Sequence, residues 1–579
     1  MWLLILLPIG LLYLCYRLLY IKTKSSNGPP TTANGADAAG GEPTGTDPKG
    51  EHFSNANTKI DPPVETAPPP PDPAPPVEPL TPYDPTLDLR DYQYPPLDLL
   101  NETDDSAIIP DVATIEANKN LIVGLLKNYD IHLAKINAFP GPAVTLYEIV
   151  PAAGVRVARI KHLEEELTLG LAASSVRIIA PIPGKGAIGI EVPNGERRPV
   201  GIRSVLTSDT FQQSSFDLPI VIGRKTDHVD VIVDLVTLPY LLIAGATGQG
   251  KSIEMHTILT SLLYKKHPSE LKLVLMDPQK VELGLYRTIE KHFLAVVPGQ
   301  DEAIVSHGKY FGETLVALCV EMDNRYDLLH EAEAHDVKEY NGKFINRQLN
   351  PRKGHQYLPF IVVAIEDYSD LLGGDGPVVE GATIRLAERG ARVGIHLILS
   401  TSRLSPASFP HHLIAHFPAR AVFKLSSRDD SKTVLGEPGA ERLLGSGDML
   451  FEWEGLTTRL QGPWIGTSEV ERVTDFIGRQ RGYPQAYKLP EFIDETEIDG
   501  AGFDLADRDP LFEEAARLIV SSGLGSTALI QRKMLLGYNR AGRLMDQLEA
   551  AGVVGPGMGS KPRDVLIKSE MELEQYLHP

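Results

Sequence analysis

The sequence predicts an α/β protein: a mostly parallel sheet with crossover helices around a phosphate-binding loop. It adds a small α+β domain before that core, a C-terminal winged helix, and one N-terminal transmembrane helix. Three observations predict it. The run Gly245-Ala246-Thr247-Gly248-Gln249-Gly250-Lys251-Ser252 stands between an apolar strand, Tyr240 to Ala244, and a helical pattern, Ile253 to Tyr264. Apolar strands at Leu271–Met276, Phe360–Ile365, His396–Ser400 and Arg420–Lys424 alternate with helical stretches, as in a parallel sheet. After residue 510 come three helical patterns, Val553–Val554, a Gly-Pro-Gly-Met-Gly-Ser turn and Val565–Ile567, the succession of a winged helix.

Taken in order, Trp2 to Ile21 is apolar apart from Arg17, with Trp2, Tyr13, Tyr16 and Tyr20 near its ends. About 20 such residues span a bilayer, and aromatics favour its interfaces. Lys22 and Lys24 follow, so the positive-inside rule puts the remainder in the cytoplasm. Residues 1–24 are therefore expected to be a single-pass anchor. A cleaved signal peptide would carry a basic start and a small-residue cleavage site, and neither is evident. Residues 25–95, with the run Pro68-Pro-Pro-Pro-Asp-Pro-Ala-Pro-Pro76, lack the apolar side chains that offset ordering entropy and read as a tether. Residues 96–217 read as the small mixed domain, with a helix from Asp111 to Tyr129. Its strands are expected at Val144 to Val150, Val155 to Ile160, Val176 to Ala180 and Ile188 to Val192. The sheet core follows at 218–490, an acidic linker at 491–509 and the winged helix at 510–568.

A formal charge of −20, from 56 basic and 76 acidic residues, excludes a uniformly basic nucleic-acid binder. Contact with DNA must come from local patches. Cys15 and Cys319 are the only cysteines, so neither a disulfide framework nor a cysteine zinc site is available, which suits a reducing compartment.

The glycine loop carries its own chemistry. Glycines let backbone N–H groups curl around phosphate, and the helix N-terminus adds partial positive charge. Lys251 then reaches the outer phosphates and the Ser252 hydroxyl takes a place on Mg²⁺, which makes ATP with Mg²⁺ the expected ligand. Strand Phe360 to Ile365 ends in Glu366-Asp367. Such a site needs one carboxylate for the Mg²⁺ shell and another to polarise water, and Asp usually precedes Glu. The reversed order displaces each carboxylate by roughly a bond length, and about 1 Å of misplacement can cost about a hundredfold in rate. Exchanging the two acids is therefore expected to speed turnover. Glu366 would serve the metal and Asp367 the water, or the roles exchange. Asp277, at the end of Leu271–Met276, reads as structural or as a group supporting the metal's ligands from behind. His396 to Ser400 ends in Thr401-Ser402-Arg403; Ser402 is short for sensing the outermost phosphate, which leaves Thr401 or Arg403. Arg385, Arg389 and Arg392 share one helix face, as an arginine finger for a neighbouring subunit or as a solvated basic face.

Asn539, Arg540 and Arg543 open the third C-terminal helix on its polar side, while Ala541, Leu544, Met545 and Leu548 face inward. Asn and Arg at that position suit adenine and guanine edges in the major groove. Arg532, Lys533, Lys561 and Arg563 would add phosphate contacts.

Together the chain resembles the FtsK/SpoIIIE family of bacterial DNA translocases. The matching stretches are Leu238 to Ser252, Pro181-Ile-Pro-Gly-Lys with Gly189 to Asn194, Ala440 to Leu450, and Gly537-Tyr-Asn-Arg-Ala541. The resemblance implies a small α domain, a RecA-like β domain and a γ winged helix. It further implies an ATP-driven homo-hexamer around double-stranded DNA, anchored in the bacterial inner membrane, with division-site proteins as partners. The single predicted membrane helix, Glu366-Asp367, and Thr401-Ser-Arg-Leu404 depart from the family's usual pattern. Two alternatives stand beside it: a plasmid-transfer or secretion ATPase of related fold, and an ATP-binding DNA tether that hydrolyses weakly.

Overall fold

The computed structural model describes residues 81–577, apart from 104–111, 183, 196–198, 301, 374–375, 406–408, 492–508, 535, 537 and 558–561. The anchor expected over 1–24, the tether up to residue 80 and most of the acidic linker lie outside them. Among the described residues no helix is long and apolar enough to cross a membrane.

The small domain is an antiparallel sheet of β1 (Leu133–Pro140), β2 (Val144–Pro151), β3 (Arg177–Ile179) and β4 (Ile188–Pro193), in the order β1-β2-β4-β3. Helix α1 (Val112–Asn128) lays Ile122 and Leu126 into one core with Tyr147, Ile149 and Ile190. The strand expected at Val155 to Ile160 is instead a helix, Val157–Lys161. The buried positions that follow, Ile160, Leu163 and Leu167, are spaced three and four apart. That is a helical period, and it overrides the short alternation that precedes it.

The main domain holds a nine-stranded sheet. Its strands are β5 (Pro219–Lys225), β6 (Asp230–Asp234), β7 (Tyr240–Ala244), β8 (Leu271–Met276), β9 (Phe360–Ile365), β10 (Ile395–Thr401), β11 (Ala419–Phe423), β12 (Asp448–Trp453) and β13 (Leu456–Gln461). The order is β6-β5-β13-β12-β11-β7-β10-β9-β8. From β8 to β11 every pairing is parallel, and these strands are nearly continuous apolar runs because both faces are covered. From β11 to β6 the pairings turn antiparallel. Sequence inspection finds the parallel part and passes over this extension. Strands β12 and β13 join through Glu454-Gly455, both at positive φ (51° and 74°), the conformation of a tight hairpin turn. Val200, Ile202, Val205 and Phe211 belong to this core, so the stretch assigned by sequence to the end of the small domain packs with the sheet.

Two devices join the parts. Arg459 on β13 is buried between domains: its Nη1 donates to Glu191 Oε2 on β4 at 2.7 Å, and its Nε and Nη2 donate to the two oxygens of Asp448 at 2.8 and 2.7 Å. Residues 81–101 form a strap along the main domain, so residues 81–95 are not the free tether the sequence suggests. Tyr83 N donates to Ile345 O, His267 Nε2 meets Leu89 O, Gln93 and Gln480 bond reciprocally, Tyr264 donates to Pro96 O, and Asn101 N donates to Glu469 Oε1.

The C-terminal unit has three helices, α2 (Phe512–Ser522), α3 (Thr527–Met534) and α4 (Tyr538–Ala550), and a separate core that includes Ile519, Leu529, Ala541, Leu544, Met545 and Leu548. Bridges Val554↔Val565 and Gly525↔Arg563 make the small sheet of a winged helix. A further helix, Glu570–Leu577, packs back on α2 through Arg517, whose Nη1 pairs with Glu574 Oε1 at 2.5 Å.

Candidate nucleotide site and DNA-facing helix

Strand β7 lies between β10 and β11, so the glycine loop leaves the middle of the parallel sheet. Gly245 N donates to Thr401 O at 3.2 Å and Ala246 N to Lys424 O at 2.9 Å, fixing the loop to both neighbours. Gly245 has no room for a side chain: a Cβ there would stand 2.7 Å from Phe423 Cβ. Gly250, at φ 126°, sits just before the helix Lys251–Lys265 in a conformation that other residues avoid. Gln249 O accepts from Gly447 N at 3.2 Å, so the Leu443-Leu-Gly-Ser-Gly447 turn backs the loop. Lys251 is folded in, its Nζ 3.5 Å from Ala246 O, at the loop's own rim.

Ser252 Oγ donates to Glu366 Oε1 at 2.9 Å. Glu366 is buried, its Oε2 has no partner, and burial pushes its carboxyl up to about 7. Asp367 adopts φ 50° and turns away from Ser252. Its Oδ1 accepts from Ser402 N at 2.9 Å and from Ser402 Oγ at 2.8 Å. Ser402, set aside by sequence as too short, is therefore the residue that meets the second acid. The Arg403 guanidinium is largely exposed and lies 3.5 Å from Asp370. Thr401 Oγ1 donates to Arg403 O. Arg385 pairs with Asp323 at 2.5 Å and Arg389 lies over Tyr326, while the helix ends at Arg389, so exposed Arg392 does not share its face as expected but lies in the following 3-10 turn Gly390–Val393.

Asp277 is a clamp: Oδ2 accepts from Glu282 N and Leu283 N, both at 2.9 Å. The clamped Glu282 faces the start of the loop helix and was missed at the sequence level. Its only cue is its place shortly after an acid that ends a sheet strand. Gln279 was missed likewise; its amide donates to Asp370 at 3.0 Å and Asp367 at 3.4 Å.

These residues fit a magnesium nucleotide. A buried carboxylate oxygen without a partner stands beside the serine that opens the loop helix, and a lysine lies at the loop rim. Among the described residues no cluster of three His, Cys, Asp or Glu forms a metal cage. Magnesium held by one or two carboxylates, phosphate oxygens and water needs none.

Three of the sequence-chosen DNA residues, Arg540, Arg532 and Arg563, have their charges taken by acids. Arg540 donates to both oxygens of Asp509 at 2.9 and 3.1 Å and to Glu491 at 3.1 Å. Arg532 is buried against Glu331 of the main domain at 3.1 Å. Arg563 donates to Asp546 and Glu549. Arg543 is half-buried on α4, Asn539 lies in its first turn, and Lys533 is exposed. Lys561 lies outside the described residues.

Residues 201–406 match the FtsK/SpoIIIE family, residues 94–194 its FtsK alpha domain and residues 506–568 its Ftsk gamma domain. DNA translocase FtsK of Chlorobaculum tepidum is 42% identical over 494 residues, covering 84% of this chain and 60% of the relative. DNA translocase SpoIIIE of Bacillus subtilis is 38% identical over 488 residues, again 84% of this chain and 60% of the relative. The chain thus spans about 60% of the length of these curated relatives. Among solved structures, the conjugation coupling protein TcpA of pCW3 with ATPgS aligns at TM-score 0.43 and 19% identity, over 62% of this chain and 99% of that one. With the alpha, central and gamma segments present in that order, the chain belongs to the FtsK/SpoIIIE family.

Proposed function

We propose that this chain is a membrane-anchored, ATP-driven translocase of double-stranded DNA, assembling as a homo-hexamer and serving chromosome segregation at cell division. The observation that carries the reading is the Ser252–Glu366 hydrogen bond, which sets a metal-binding hydroxyl against a carboxylate across the phosphate loop. The names of the relatives support DNA as the substrate, and the winged helix supplies a duplex-reading element. The apolar run Trp2 to Ile21, followed by Lys22 and Lys24, supports an anchor in the inner membrane with the remainder cytoplasmic.

In this reading Lys251 and the loop N–H groups bind the outer phosphates of ATP. Ser252 and Glu366 would hold Mg²⁺, which would supply charge neutralisation on the phosphates. Asp367, oriented by Ser402, would polarise the attacking water. Arg392, exposed in the turn after that helix, is the arginine from which a neighbouring subunit's site would be completed.

The test is steady-state ATPase of the full chain in detergent, with and without duplex DNA, beside Lys251→Ala. Duplex-stimulated turnover abolished by Lys251→Ala is expected. Duplex binding without stimulated turnover would convert the protein to a tether, and stimulation by single strands alone would favour a transfer ATPase. Carbonate extraction of membranes checks the anchor.

A further inference from the structure

Glu282 stands immediately before the turn Leu283–Ile289, where the chain leaves β8. Its position is built rather than incidental. The buried Asp277 carboxylate holds the N–H groups of Glu282 and Leu283 at 2.9 Å each, which turns the intervening Pro278–Val281 loop and presents the Glu282 side chain to the loop helix. There its Oε2 lies 3.6 Å from His256 Nε2. His256 is in turn fixed by Tyr286, whose hydroxyl lies 3.1 Å from Nδ1. The side chain remains about one-third exposed. His256 first, then the Ser252 hydroxyl and the Lys251 ammonium, hold its carboxyl below the ordinary carboxylate range.

Two carboxylates therefore stand one turn apart along the loop helix: buried Glu366 from β9 on Ser252 itself, and partly solvated Glu282 from beyond β8 on His256, four residues on. Asp367, the neighbour that would ordinarily share the work, is committed to Ser402 and Gln279. We propose that Glu282 is a positioning residue for magnesium, whose carboxylate would help hold the ion's outer shell beside Ser252 and Glu366. The site is then built from three separated segments (the loop helix, the end of β9 and the Asp277 clamp) rather than from the adjacent acidic pair alone. A partly exposed carboxylate beside a hydroxyl ligand can hold a metal-bound water without the full burial cost that Glu366 carries.

The inference rests on the nucleotide-binding part of the proposed function and not on translocation, so its test reads binding. A fluorescent ADP analogue is titrated into the full chain at increasing Mg²⁺ and, separately, in EDTA. For Glu282→Gln the Mg²⁺ concentration that supports tight binding is expected to rise at least about tenfold, the usual effect of removing an outer-shell partner, with affinity in EDTA unchanged. Glu282→Asp should give an intermediate shift. An unchanged Mg²⁺ midpoint overturns the proposal. So does a parallel loss of affinity in EDTA, which would make Glu282 a loop-building residue only. Failure of the parent itself to bind the analogue would sink the nucleotide reading, a result distinct from either.

Discussion

Ser252 and Glu366, 114 residues apart in sequence, meet in a 2.9 Å hydrogen bond in which the hydroxyl donates and the carboxylate accepts. The longer acid is the one that reaches the serine, and the shorter one, Asp367, reaches Ser402 through a left-handed backbone turn.

That seating reverses an expectation drawn from sequence. With Glu366→Asp the carboxylate falls about one bond short of Ser252, and with Asp367→Glu an extra methylene is forced against Ser402. The exchanged pair is therefore expected to hydrolyse ATP at about one-hundredth of the parent rate, the usual consequence of about 1 Å of misplacement. Steady-state ATPase decides it, and a variant as fast as the parent would restore the sequence-level expectation.

His396 lies wholly inside β10 with its ring 5.8 Å from Phe360, and burial drives its pKa down to about 3 from 6.5. The unfolded chain therefore takes up this proton first as pH falls. Stability is intact above pH 6.5 and drains away between about 6.5 and 3, by about 2 kcal/mol at pH 5 from this group alone. In His396→Leu that part of the acid sensitivity should vanish, so the variant-minus-parent unfolding free energy grows from pH 7.5 to pH 5. A constant difference across that range would contradict the assignment.

Arg459 neutralises two buried carboxylates at once. Replacing it with Met leaves buried Asp448 without its cation and Glu191 with only the longer Arg177 contact at 3.6 Å, and is expected to cost about 3–5 kcal/mol. Adding Glu191→Gln and Asp448→Asn to that variant should return much of the loss. Thermal unfolding of the single and triple variants measures this.

Arg540 is held by Asp509 and Glu491, and DNA must displace both acids to reach it. Asp509→Asn with Glu491→Gln is expected to tighten duplex binding about tenfold and to steepen the logarithmic salt dependence by about one, the worth of one freed phosphate contact. Fluorescence anisotropy over a salt series gives both quantities.

The legible parts were those in which a short segment carries its own reason. Tyr240 to Ser252 shows strand, glycines, lysine and helix in sequence, and Ala541, Leu544, Met545 and Leu548 show a helical face that is buried as read. What escaped depends on partners remote in sequence. Glu282 acquires its meaning only from Asp277 and His256, and Ser402 only from the left-handed turn at Asp367. The short helix Val157–Lys161 was lost because four residues of alternating apolar character look alike in either conformation until Leu163 and Leu167 are counted with them. The antiparallel extension of the sheet announced itself only in Glu454-Gly455, a faint hairpin cue.

The strap acts as a mechanical fuse for the nucleotide site. A pull entering at Thr81 strains Tyr83, then Leu89, then Gln93, before it can tug Tyr264, which lies one residue from the end of the helix that starts at Lys251. Weak links fail first, and the machinery that grips phosphate is spared the jerk.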